Sequence, residues 1–332
     1  MTTNNRSFVT FPFAGMALDP IHVGTGGARL GRVDNTIVRD PVTQIPKIPG
    51  SSLAGVMRAY TAMAKGKYPN CAGLGQPERD GAGGHCGKAD CPVCTVFGFA
   101  KGIGKSGGFA GLAAFSDMHV LLFPVASHLG PQWITCPMAL RQTSIVEFSE
   151  LDDLPEQQVV YRKANGAAGQ QQLNLGWLYL PVKTTDWNGL NTVAQKIKGL
   201  GISDYMTERL AVVSDKLFTH IVNSNLEVRT SVAIDPATGA AEEGALFTYE
   251  ALPRGTVLFW EITCRNPKHF KINQDDVKAV VSPEEVRDVV ADAHSYLEHL
   301  GIGGMGSRGM GRLRVLTAEE PADSNKSGKE AS

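Results

Sequence analysis

The amino-acid sequence predicts an α+β fold of the ferredoxin-like type: a single domain over residues 1–316, with a palm core formed by about 7–65 and about 265–316 and large insertions between. Three observations predict it. The chain begins strand-then-helix, because Ser7–Phe13 (SFVTFPF) alternates and Leu53, Val56, Met57, Tyr60 and Met63 then recur at helical spacing. It ends helix-then-strand, with an apolar stripe at Val286, Val289, Val290, Ala293, Leu297 and Leu300, a stop at Gly301, and a strand over Arg312–Leu316. Between the halves lies a strong hairpin signal, the Asp235-Pro236-Ala237-Thr238-Gly239 turn flanked by strand-like 226–234 and 244–250.

The elements follow in chain order. Gly50-Ser51-Ser52 opens the first helix with a serine-led start that offers free N–H groups and a positive dipole end, and its spacing leaves Arg58 on the polar face. Residues 66–110, rich in glycine and cysteine, form an insertion. Residues 111–125 read as one strand, continuous in VLLF and broken by Pro124, and 157–172 read as a polar, exposed insertion. The hairpin occupies about 220–255 and is followed by a strand at Thr256–Cys264. Ser282 and Glu285 make a capping box with Pro283 in the first helical position. Residues 317–332 are small and polar, as expected of a disordered tail.

A chain of 332 residues with 42% hydrophobic and 20% charged residues has ample length for a buried core. The N-terminus, MTTNNRSFVTF, lacks a charged-then-apolar signal segment, and no apolar run nears the roughly 18 residues of a membrane helix. The expectation is a cytoplasmic protein with no membrane partner. The net charge of −1 does not announce nucleic-acid binding. Local clustering does: residues 301–316 carry Arg308, Arg312 and Arg314 and no acid.

Of the six cysteines, Cys71, Cys86, Cys91 and Cys94 lie in one short glycine-rich segment, whereas Cys136 and Cys264 sit in apolar strand-like contexts as core residues. Such clustering in a cytosolic protein favours metal over disulfide. Cys91-Pro-Val-Cys94 is a CxxC pair and Cys86 precedes it; Cys71 or His85 could complete a tetrahedral structural zinc site.

The stretch from His22 to Arg58 combines a glycine-rich loop, an isolated acid and a helix start. Its basic residues Arg29, Arg32, Arg39, Lys47 and Arg58 outnumber Asp34 and Asp40, the profile of a phosphate-backbone groove with one carboxylate inside it. Two rival motifs fail on spacing. Gly24-Thr25-Gly26 hints at a dinucleotide loop, but Arg29 stands where the third glycine belongs and no helix follows. Gly104-Lys105-Ser106 hints at a phosphate-binding loop, but Phe99 occupies the required first glycine.

Five ordered blocks give the chain a resemblance. HVGTG with VDNTIVRDP, IPGSSLAGVMR, FSDMHVLLFPVASHLGPQWITCPMAL, EGALFTYEALPRGTVLFWEI and GIGGMGSRGMGRLRV resemble the RAMP superfamily of CRISPR proteins, most closely the repeated backbone subunit of type III-B (Cmr) effector complexes. The resemblance implies a modified RRM-like palm with the hairpin as a protruding thumb. It implies contact with guide crRNA through His22, Arg39, Lys47, Ser51, Ser52, Arg58, Gly304, Arg308 and Arg312, independent of base sequence. It further implies that Gly31-Arg32-Val33-Asp34 is the loop of an endoribonuclease cutting complementary target RNA at regular intervals, with Asp34 catalytic. Attack by a 2′-hydroxyl would leave a 2′,3′-cyclic phosphate and spare DNA. An aspartate of ordinary pKa is a weak base, so Asp34 is expected to hold Mg²⁺ or another divalent cation, or to orient the hydroxyl. Partners would be further copies stacked head-to-tail and other subunits of the complex. A non-catalytic crRNA-binding scaffold and a type III-A-like (Csm) backbone subunit are the alternatives.

Overall fold

The computed structural model describes residues 6–26, 33–73, 84–100, 107–143, 154, 156–161, 171–183, 189–242 and 245–316. The alternating N-terminal segment forms β1 (Phe8–Ala17), and the chain then reaches the short β2 (Lys47–Ile48) and α1 (Gly50–Ala64). The cysteine segment contributes α2 (Pro92–Phe97), followed by β3 (Ala113–Phe115), β4 (Met118–Val125), β5 (Gln132–Thr135) and α3 (Pro137–Gln142). A middle region holds β6 (Val160–Tyr161), β7 (Gln172–Leu175), β8 (Leu178–Pro181), α4 (Gly189–Lys198), α5 (Asp204–Thr207), β9 (Leu210–Val212) and α6 (Asp215–Ser224). The hairpin is β10 (Glu227–Ser231) and β11 (Phe247–Ala251), and β12 (Val257–Arg265) follows it. The small pair β13 (Lys271–Ile272) and β14 (Asp275–Asp276) precedes α7 (Pro283–Ala291), α8 (His294–Leu300) and β15 (Leu313–Leu316).

These elements make an α+β fold around a nine-stranded mixed sheet in the order β15-β1-β12-β4-β5-β9-β6, with β2 beside β4 and β3 beside β12. β5 and β9 run parallel, while β1, β12, β4 and β15 pair antiparallel. The long β1–β12 register, from Phe8 opposite Arg265 to Met16 opposite Val257, forms the spine of the sheet.

Strand alternation explains how the sheet buries both faces. Leu258, Trp260, Ile262 and Cys264 of β12 join a core with Leu53 and Met57 of α1, Val286 and Val290 of α7 and Leu297 of α8. The intervening Val257 and Phe259 join Leu121 and Leu122 and the α4 residues Leu190, Val193 and Ile197 on the opposite face. Trp260, fully buried, stacks on Phe13 with ring centroids 5.8 Å apart.

The capping box forms with one displacement: Ser282 Oγ accepts from Glu285 N–H at 3.3 Å, while Glu285 Oε2 accepts from Val281 N–H at 2.9 Å. Ser282→Ala is expected to cost about 1 kcal/mol, read as a lower urea midpoint with an unchanged slope; an unchanged midpoint would show that the cap contributes nothing.

Five expectations are corrected. The single helix over 282–300 is two, α7 and α8, parted at Asp292, which turns out to pair with Lys65 at the end of α1 at 2.8 Å. Leu300, placed in the core stripe, is 54% exposed, because the break rotates the last turn outward. The strand over 111–125 divides at Ser116-Asp117, where Asp117 Oδ1 accepts the Gly50 N–H at 2.8 Å. Pro124 does not break it: opposite Trp133, whose N–H turns away to Arg209 O, proline loses no ladder bond. Finally, the polar segment at 157–172 begins as the buried β6 rather than as an exposed loop, and residues 162–170 lie outside the described residues. Residues 317–332 also lie outside them, as do Gly31, Arg32 and the Gly104-Lys105-Ser106 motif. Among the described residues, no helix is long and apolar enough to cross a membrane.

Candidate functional site

Three stretches far apart in sequence meet on β11. The hairpin register runs from Glu227 opposite Ala251 to Ser231 opposite Phe247, a two-stranded sheet separate from the main one. Its turn closes as the sequence predicts, with Asp235 accepting from Ala237 N–H and from the Thr238 hydroxyl, both at 2.9 Å. Along β11, Thr248 and Glu250 point one way and Phe247, Tyr249 and Ala251 the other. The Thr248–Glu250 face receives segment 34–39: Asn35 N–H donates to Thr248 O at 3.0 Å and Glu250 N–H returns to Asn35 O at 3.0 Å. The opposite face packs Tyr249 and Ala251 against Met310, with Met305 beside them.

Asp34 is held at the root of the hairpin. Its Oδ2 accepts from Thr248 N–H at 2.7 Å and from the Thr248 hydroxyl at 2.9 Å, and its own N–H donates to Thr248 Oγ1 at 3.1 Å. The two Thr248 bonds hold its carboxyl below the ordinary aspartate range. Asp34 is exposed and ionised at neutral pH, and Oδ1 has no partner among the described residues.

His22 sits one residue-pair along the same strand. Its Nδ1 donates to Glu250 O at 2.6 Å, because a carbonyl only accepts, and Nε2 is the ring nitrogen outside this bond. The ring meets Tyr249 edge-on at 5.9 Å and is 7% exposed. Its backbone carbonyl takes the Gly304 N–H at 2.8 Å. The glycine-rich loop is thereby pinned: Gly303, at φ +88, has no room for a side chain, since a Cβ there would stand 2.3 Å from His22 O. Arg308 leaves this loop, donates to Ser231 Oγ at 3.3 Å and lies 5.5 Å from the Phe247 ring centroid. Asp34, His22, Gly304 and Arg308 thus surround one hairpin.

The other predicted RNA contacts are engaged within the protein or lie at the start of α1. Arg39 turns inward, donating to Glu250 Oε2 at 2.9 Å, Asn223 Oδ1 at 3.0 Å and Ile37 O at 3.1 Å. Lys47 bridges Asp117 at 2.7 Å and Asp40 at 3.6 Å beside the start of α1. Ser51 is exposed and Ser52 half-buried in the first turn, but neither caps it: Pro49 is the cap residue and Asp117 takes the first N–H. Arg312 is bound two-pronged to Asp19 at 2.5 and 3.1 Å, which raises its pKa. Arg58 is a correction. It leaves the polar face, is half-buried, and donates to Cys71 O and Gly98 O, both at 2.7 Å, with His85 Nδ1 at 2.9 Å.

That arginine braces the cysteine segment. The sulfurs of Cys71, Cys86, Cys91 and Cys94 all lie within 4.8 Å of one another, with Cys86–Cys94 at 3.7 Å and Cys91–Cys71 at 4.0 Å. A tetrahedral ion with metal–sulfur bonds of about 2.3 Å needs sulfurs about 3.8 Å apart. The hydrogen bond to Cys71 and burial push the Cys91 thiol up. His85, the alternative fourth ligand, stands outside this group with Nδ1 engaged by Arg58. Cys136 and Cys264 are buried core residues.

Comparison with known proteins places the chain in a family. The RAMP superfamily profile matches residues 16–314. The chain belongs to the RAMP superfamily. This RAMP protein is 27% identical over 320 residues to the CRISPR system Cmr endoribonuclease Cmr4 of Pyrococcus furiosus, covering 91% of this chain and 93% of the relative. It is 36% identical over 90 residues to the CRISPR system Cms endoribonuclease Csm3 of Methanothermobacter thermautotrophicus, 26% of this chain and 32% of that one. Its fold superposes with a TM-score of 0.61 and 17% identity on a chain of type III-B Cmr-beta bound to cognate target RNA, covering 94% and 98%. Oligomeric Cmr4 from Pyrococcus furiosus gives a TM-score of 0.57 at 18% identity, covering 94% and 98%.

Two residues that bind the predicted site residues of this RAMP protein escape sequence reading, Thr248 and Glu250. Their period-2 spacing in FTYEA puts both on one face, but nothing local shows that this face meets Asp34 and Arg39, 214 and 211 residues away.

Proposed function

We propose that this chain is the repeated backbone subunit of a type III-B CRISPR ribonucleoprotein, that it binds guide crRNA, and that it cleaves the paired target RNA at Asp34. The observation that carries this reading is the exposed Asp34 carboxylate, held ionised by Thr248 at the root of a hairpin that the glycine-rich loop also grips through Arg308. The palm is ferredoxin-like: β15-β1-β12-β4, with α1 after β1 and α7 and α8 before β15, is the split β-α-β order. On it the hairpin acts as a thumb crossing the guide–target duplex, so that copies stacked head-to-tail cut at regular intervals.

In the reaction the 2′-hydroxyl of a displaced target nucleotide gives up its proton to water as its oxygen bonds to the neighbouring phosphorus, the bond from phosphorus to the 5′-oxygen breaks, and the leaving 5′-oxygen takes a proton from water. Asp34 orients the reacting hydroxyl through its free oxygen, and Arg308 supplies positive charge toward the phosphate. His22 Nε2 is an acceptor for a ribose or water proton. Mg²⁺ or a similar cation on the Asp34 carboxylate would supply charge neutralisation when bound. The cysteine cluster holds structural zinc, which orders a segment with few apolar residues of its own.

The test uses the assembled complex with its guide and a complementary RNA carrying a single 2′-deoxy nucleotide at one cleavage position. That cut alone should vanish, with the remaining products ending in 2′,3′-cyclic phosphate. Cleavage persisting at the deoxy position would exclude 2′-hydroxyl attack.

A further inference from the structure

We infer that Thr248 is a positioning residue for cleavage, the link by which the hairpin sets the orientation of Asp34. This rests on Asp34 being the cleaving residue and adds what controls it. Thr248 meets Asp34 through three hydrogen bonds, two into Oδ2 and one from the Asp34 amide to its own hydroxyl oxygen. The hydroxyl therefore donates to the carboxylate while accepting from the same residue's backbone, which determines both its rotamer and the plane of the carboxylate. With Oδ2 doubly occupied, Oδ1 is the oxygen turned toward an incoming group. Asn35 adds backbone bonds to both Thr248 and Glu250, which tie segment 34–35 directly to β11.

The consequence concerns where the site is formed. β11 is the hairpin's return strand, and the hairpin is its own two-stranded sheet with Val228, Ile234 and Leu246 exposed. A duplex that meets this hairpin meets the strand to which Thr248 fastens Asp34, so the acid is oriented by the same element that displaces the target nucleotide.

Single-turnover cleavage by the reconstituted complex tests this, with Thr248→Val, Thr248→Ser and Asp34→Ala measured beside wild type together with target-RNA affinity. Valine keeps the volume and the backbone N–H but removes the hydroxyl; serine keeps it. Thr248→Val should slow cleavage about 10- to 100-fold with target affinity within about twofold, and Thr248→Ser should recover to within about threefold of wild type. Wild-type cleavage in Thr248→Val, or equal losses in valine and serine, overturns the positioning role while leaving Asp34 as the cleaving residue if Asp34→Ala is inactive. Full activity in Asp34→Ala overturns the cleavage assignment and this inference with it.

Discussion

Asp34→Ala should abolish the regular ladder of target-RNA products while leaving assembly, crRNA retention and target binding intact. The side chain is exposed and belongs to none of the buried clusters, so its removal costs no core packing. The interactions lost are local: two hydrogen bonds from Thr248 into Oδ2, with the backbone bonds of Asn35 to β11 still in place. A group that orients the nucleophile or helps carry its proton contributes about 10²- to 10⁴-fold, so the single-turnover rate should fall by about that factor. Asp34→Asn separates charge from shape. The amide oxygen can still accept from Thr248, yet the negative charge is gone, and activity should fall nearly as far as in alanine. Recovery of cleavage in the asparagine variant would mean that hydrogen bonding rather than charge is the contribution. A ladder that survives the alanine substitution would make the chain a crRNA-binding scaffold at this position.

Loss of any one thiol from the cysteine cluster should have the largest effect on stability. Cys94 is fully buried at the centre of a small apolar cluster with Cys71, Cys91, Val93 and Phe99, joined by Ala62 of α1. Beside it, Arg58 binds the carbonyls of Cys71 and Gly98, so the cluster, α1 and the end of α2 form one cooperating unit. In Cys94→Ser, zinc content should drop from about one per chain to near zero, and unfolding should become easier by several kcal/mol, since metal binding free energy is also folding free energy. Chelation of the wild type should reproduce the thermal shift, and zinc should reverse it. Cys136→Ser is the control, because Cys136 lies in a separate buried site and its loss should leave zinc content unchanged. Wild-type zinc content in Cys94→Ser would remove this thiol from the ligand set.

The residues that carry periodicity were readable directly. SFVTFPF alternates and becomes β1, the apolar stripe from Leu53 becomes α1, and the Asp235–Gly239 turn closes a hairpin, because each signal arises from neighbours within a few residues. The cysteine spacing was readable for the same reason, and the fold groups the Cys71 sulfur with those of Cys86, Cys91 and Cys94 while His85 Nδ1 meets Arg58. Charge was read less well. An arginine on a helix reads as solvated unless something distant desolvates it, and for Arg58 that something is the segment from Cys71 to Gly98. Arg39 and Arg312 likewise find Glu250 and Asp19, partners 211 and 293 residues away.

The sequence by itself therefore determined the α+β class, the hairpin, the clustered thiols and the presence of one acid among bases, all properties of local composition and spacing. Only the tertiary structure decided which charges are free and which are neutralised at home. It also decided that Asp34 is bonded to the hairpin, because Thr248 reaches it by chain folding across most of the molecule. Hydrogen bonds between distant segments leave no periodic trace in either segment, and it is those bonds that orient the site.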